Sequence, residues 1–185
     1  MSPNHSIIQK DFYRATGKWL SKIQIWKACF SPNLHFIYWL RKAQSQPKNS
    51  WKGKLNRLIL RHYQIKYGFQ IYPETQIGEG LYLGHWGALV INPKVKIGKN
   101  CNIAQGVTLG QQNRGKNAGV PTIGDEVWIG ANAVIVGGIK IGNNVLVAPN
   151  SYINFDVPNH SVVLGNPASI IPNDHATEGY INNKI

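Results

Sequence analysis

The chain has 185 residues, with 20 Lys or Arg against 8 Asp or Glu and a formal net charge of +12. That length suits one domain with an appendage and a real core. It holds no apolar run near the ~18 residues of a membrane span, and its polar start lacks the apolar core of a signal peptide. Two cysteines, Cys29 and Cys101, make neither a disulfide framework nor a zinc pattern, and no metal is expected.

The charge is uneven. Residues 1–68 hold 13 basic residues and one acid, Asp11, whereas residues 69–185 hold 7 of each. Trp19, Trp26, Trp39 and Trp51 share the basic segment. Basic residues among aromatics suit an anionic membrane surface or an acidic glycan, or simply helices with a solvated face. No nucleic-acid module is recognisable, so no nucleic-acid partner is expected. The expected location is cytoplasmic, with the option of lying peripherally on the inner membrane surface.

In chain order, residues 7–28 have helical character without a clean period. Ser31-Pro32-Asn33 reads as a helix start, with Ser or Asn able to cap and Pro tolerated in the first turn. The apolar helix 34–40 follows, then a break at 46–50. A second helix spans 51–67, with Leu55, Leu58, Ile59, His62 and Ile65 on one face and Gly68 suited to its C-cap. Together these make a basic α-helical segment, 1–68.

From Ile71 an aliphatic residue returns every six positions: Ile71, Ile77, Leu83, then Ile91, Ile97, Ile103, Leu109, then Ile123, Ile129, Ile135, Ile141, Val147, Ile153. A period of six fits neither a 3.6-residue helix nor an alternating strand. It fits a parallel β coil with three flat sides, its aliphatic corners stacked in one column. Residues 69–157 make about five such turns, inside a β domain of 69–165 with a cap and tail at 166–185. The period breaks twice. Leu83 to Ile91 is eight residues, so the segment with His85 bulges; Leu109 to Ile123 is fourteen, which leaves a polar, Gly-rich excursion loop.

His85 is the candidate base. It is the one histidine within the repeat, and it sits at a turn where a side chain points away from the core. Imidazole titrates near pH ~6.5, and a positioned base accelerates proton transfer by about 10²–10⁴-fold.

These residues carry a resemblance. Ile77-Gly78-Glu79-Gly80-Leu81, the histidine bulge, 102–110, 122–133 and Val163-Leu164-Gly165-Asn166-Pro167-Ala168 are similar, in order and spacing, to the hexapeptide-repeat acyltransferases of the serine acetyltransferase-like branch. The resemblance implies a mainly β, left-handed parallel β-helix with an N-terminal helical segment, acetyl-CoA as co-substrate, and a homotrimer with sites between subunits. It implies Gly110 as oxyanion donor. The partner that orients His85 is Gln70, at the place of the family's pairing Asp, or Glu79 or Glu74 nearby in sequence, or a backbone carbonyl. Trp86, Tyr72 and Asn92 stand on the acceptor side. Gln105, Gly110, Trp128, Gly130, Ala131, Lys140, Ala148, Asn166 and Pro167 stand along the cofactor.

The sequence also departs from that pattern. Gly84 precedes the histidine where the family has Asp, Gln70 replaces the Asp that pairs with it, and Val120 replaces a second histidine. These departures point to a sugar or polysaccharide-precursor hydroxyl as acceptor, with serine O-acetylation as the alternative. A metal-dependent hydratase and a non-catalytic scaffold are the other readings; His85 standing alone in the repeat disfavours the former, the bulge and loop the latter.

Overall fold

A computed structural model describes residues 5–185. Four helices precede the coil: α1 (Ile7–Thr16), α2 (Lys22–Ala28), α3 (Pro32–Gln44) and α4 (Trp51–Tyr67). The unclear stretch 7–28 is thus two helices. Each opens on a capping box, Ser6 with Gln9 and Ser21 with Gln24, which satisfies backbone donors that a helix start leaves unpaired. No described helix is long and apolar enough to cross a membrane.

The coil has three sides. Side one stacks β1 (Phe69–Gln70), β4 (Leu89–Ile91), β7 (Thr108–Gly110), β10 (Val134–Val136) and β13 (Tyr152–Ile153). Side two stacks β2 (Gln76–Ile77), β5 (Lys96–Ile97), β8 (Thr122–Ile123) and β11 (Lys140–Ile141). Side three stacks β3 (Tyr82–Leu83), β6 (Asn102–Ile103), β9 (Val127–Ile129), β12 (Val145–Val147) and β14 (Ser161–Gly165). All these neighbours pair in parallel, and β15 (Ala168–Pro172) closes side three as an antiparallel partner of β14. The expected five-turn β-helix is what forms. The six-residue anchors are its core: Ile91, Leu109, Ile135 and Ile153 are fully buried and stand in register down side one.

The helices dock on the first turn through a buried ion pair. Asp11 and Arg41 are almost wholly enclosed and meet at 2.7 Å. The Asp11 carboxylate also accepts from the amides of Gly80 and Leu81, and the Arg41 guanidinium donates to the carbonyls of Ile77 and Gly78. Phe36 of α3 packs on Phe69 of β1 at 4.6 Å. Gly68 caps α4 with φ +73°, a conformation that suits glycine.

Helix α3 starts where expected, with Ser31 at its N-cap and Pro32 in the first turn, but the side-chain cap needs correction: the Ser31 side chain makes no cap bond, and the Asn33 amide reaches out to the Gly84 carbonyl. On α4 the buried positions are Gly53, Leu60 and Gln64, whereas Leu55, Leu58 and Ile65 of the apolar stripe face solvent.

The tail after β15 returns up the coil. Asn144 binds Thr177, the Asn102 amide donates to the Tyr180 carbonyl, Asn100 and Ile185 bond reciprocally, and Asn183 reaches Arg14 on α1.

Candidate active site

The eight-residue step from Leu83 to Ile91 places Gly84–Ala88 at the corner between sides three and one. Three contacts hold this bulge. The Asn33 amide donates to the Gly84 carbonyl at 2.9 Å. The Gly87 amide donates to the Tyr67 carbonyl at 3.0 Å and the Leu89 amide to that of Gly68 at 3.1 Å. The start of α3 and the end of α4 therefore fix where His85 stands. His85 and Trp86 are exposed, with Trp86 58% accessible. The other described histidines sit in local partnerships: His5 on Trp19, His35 and His62 on Tyr63, His160 with Asn144, His175 with Glu178.

Below the bulge runs a column of small residues. The Gly84 amide donates to Ile103, Ala104 to Ile129, Gly130 to Val147 and Ala148 to Val163, at 2.8–3.3 Å. Gln105 and Ala131 are the next residues round this corner, and Asn166-Pro167 lie at its foot in the β14–β15 turn. Gly130 has no room for a side chain: a Cβ there would meet Pro149 N at 2.7 Å and the Trp128 ring at 2.9 Å. Eight expected residues, His85, Trp86, Gln105, Gly130, Ala131, Ala148, Asn166 and Pro167, thus share one edge.

Others stand elsewhere. Tyr72, Asn92 and Gly110 follow the anchors Ile71, Ile91 and Leu109 and line the corner between sides one and two. Within one chain a strand of side one separates them from His85, a span of at least about 10 Å. The excursion loop starts at that second corner. It is a hairpin, with Gln112 and Gly119 bonded both ways at 2.9 Å, and Asn117 ties it down to Gly138 and Asn154. Gln70 lies on β1 two residues past Gly68, and its amide donates to the Tyr72 hydroxyl at 3.2 Å.

Four expected residues make local contacts within the chain. Glu79 pairs with Lys10 and with Lys99, which holds its carboxyl below the usual range and away from His85. The Asn92 side chain accepts from the Lys94 amide at 3.0 Å and serves a turn. The Trp128 ring packs on Tyr180 of the returning tail, centroids 4.9 Å apart. Lys140 belongs to side two, opposite the His85 corner, where its amide donates to Asp156. Asn33 was missed as a site-building residue; its one signal was an Asn beside a helix-start proline.

Known proteins were compared with this geometry. A family model described as "Bacterial transferase hexapeptide (six repeats)" matches residues 121–154. A serine acetyltransferase of Staphylococcus aureus is 39% identical over 146 residues, covering 79% of this chain and 68% of the relative. The chain belongs to the hexapeptide-repeat acyltransferases, in their serine acetyltransferase-like branch. Serine acetyltransferase 4 of Arabidopsis thaliana is 42% identical over 105 residues, 57% of this chain and 30% of the relative. Among solved structures, the Neisseria gonorrhoeae serine acetyltransferase in complex with serine matches with TM-score 0.72 and 29% identity, covering 89% of this chain and 67% of that one. The Brucella abortus serine acetyltransferase in complex with Coenzyme A matches with TM-score 0.73 and 26% identity, covering 90% and 66%. This hexapeptide-repeat protein thus spans from under a third to about two thirds of the relatives' lengths. The relatives overturn the sugar and polysaccharide expectation for the acceptor. Gly84, Gln70 and Val120 are local departures inside a site whose relatives are named for serine.

Proposed function

We propose that the chain is an acetyl-CoA-dependent serine O-acetyltransferase with His85 as general base. The observation that carries this reading is the corner itself: an exposed imidazole on a clasped bulge, at the head of a column of Gly and Ala residues. Relatives named serine acetyltransferase support the acceptor, and neighbours holding serine and Coenzyme A support both ligands.

His85 takes the serine hydroxyl proton as the oxygen attacks the thioester carbonyl. The C–S bond then breaks, the acetyl group stays on serine, and the leaving sulfur receives the proton back from the imidazolium. The pantetheine arm lies along Ala104, Gly130 and Ala148, where the side chains are smallest, and reaches Asn166 and Pro167 at the foot. Gly110 is the oxyanion donor and Gln70 the orienting partner in this proposal.

The reading includes a homotrimer. Gly110, Tyr72 and the loop hairpin stand across side one from His85, so a neighbouring subunit is needed to bring the two corners together. Exposed Leu55, Leu58, Ile65, Val90 and Tyr152 supply apolar surface for such contacts. Residues 69–165 carry the chemistry, 1–68 clasp the first turn, and 166–185 close the last. The test is acetyl-CoA with L-serine, following thiol release and O-acetylserine by mass spectrometry. Thiol release that ignores serine would sink the acceptor assignment.

A further inference from the structure

Helix α2 presents a ridge that no described residue of its own chain covers. Ile23 is 71%, Trp26 72% and Phe30 83% exposed. Residues three and four apart share a helix face, so Ile23, Trp26 and Phe30 form one line. The Trp26 and Phe30 rings meet edge to face at 6.2 Å, which keeps the line continuous past the helix end. The opposite face anchors the helix through buried Ile25 and half-buried Ala28 and Cys29, so the ridge is held outward by packing.

Charge surrounds it. Lys22 and Lys27 on α2, and Lys18 in the link before it, are exposed. From residue 12 to residue 73 the chain holds twelve Lys or Arg and no Asp or Glu. The acids that bound this stretch are both engaged, Asp11 by Arg41 and Glu74 by Arg57. An aromatic and aliphatic line flanked by lysines, in a stretch of sequence without acids, has the chemistry of the boundary between lipid headgroups and acyl chains. Rings enter that boundary while ammonium groups stay among the phosphates.

We infer that the α2 ridge docks this protein on an anionic lipid bilayer. The inference stands apart from the acetyl-transfer reading, because none of these residues belongs to the site. The charge component acts within about 8 Å of the surface at physiological salt, so binding needs acidic lipid and weakens as salt rises.

The experiment is co-sedimentation of the full chain with vesicles of phosphatidylcholine alone or with a third phosphatidylglycerol. Wild type is expected to bind the acidic vesicles at least tenfold more strongly than the neutral ones. The triple substitution Ile23→Ser, Trp26→Ser, Phe30→Ser should lower that binding tenfold or more, with unfolding midpoint, serine acetylation and light-scattering mass unchanged. Lys18→Gln, Lys22→Gln, Lys27→Gln should remove the preference for acidic lipid. Absence of wild-type binding, or undiminished binding by the triple variant, overturns the inference. A fall in the triple variant's mass also overturns it, since the ridge would then be a contact between copies.

Discussion

Asp11→Ala should be the most damaging single change outside the site. Asp11 and Arg41 are 0% and 2% exposed as side chains, and their ion pair is 2.7 Å long. Removing the carboxylate leaves the guanidinium buried with only neutral carbonyls to face, and strands the amides of Gly80 and Leu81, which donate to it at 2.8 and 3.0 Å. Breaking a buried pair from one side costs about 3–5 kcal/mol. Each kcal/mol moves the melting temperature of a chain this size by about 2–4 °C, so the fall should be roughly 6–20 °C. Thermal and urea unfolding at fixed protein concentration measure it. Asp11→Leu combined with Arg41→Met should recover much of the loss, because a paired apolar replacement leaves no stranded charge. An Asp11→Ala protein within ~1 kcal/mol of wild type, well short of the one-sided cost, would refute this account of how the helices are tied to the coil.

The remaining expectations concern the site and the thiols. Asn33→Ala removes one neutral hydrogen bond to the Gly84 carbonyl, of about 0.5–1.5 kcal/mol; kcat should fall about two- to tenfold with the acetyl-CoA KM unchanged in steady-state assays. Gly130→Val would press a side chain onto Pro149 and Trp128, costing about 1–3 kcal/mol of stability and raising the acetyl-CoA KM more than tenfold in the same assays. Burial pushes the Cys101 thiol up to about 12 and the Cys29 thiol to about 11, so neither should react quickly with a disulfide reagent at pH 8. Both should react on unfolding, and fast native labelling of Cys101 would show that the coil opens there.

The coil was readable because its core is a sequence period: apart from the partly buried Ile77, each anchor from Ile71 to Ile153 is a buried residue of the coil, so six-residue spacing translates directly into turns. The exposed bulge that carries His85 was readable for the complementary reason, as the place where the period fails. Long-range returns were not readable. Nothing in Tyr180 announces that the tail climbs back to cover Trp128, or that Asn100 holds Ile185. The α4 pattern showed an apolar stripe at Leu55, Leu58 and Ile65, yet periodicity cannot say whether a stripe meets its own chain or another molecule. The clasp by Asn33 escaped for a similar reason: at a helix start, Asn reads as a cap, and its partner lies 51 residues away.

The most direct test of the central claim compares wild type with His85→Ala on acetyl-CoA and L-serine, with calorimetry of CoA binding alongside. Wild type should yield O-acetylserine and CoA in equal amounts. The variant should lose about 10²–10⁴-fold in kcat while binding CoA as before, because the imidazole acts on the hydroxyl proton and not on the cofactor. O-acetylserine formed by His85→Ala at the wild-type rate would contradict the account.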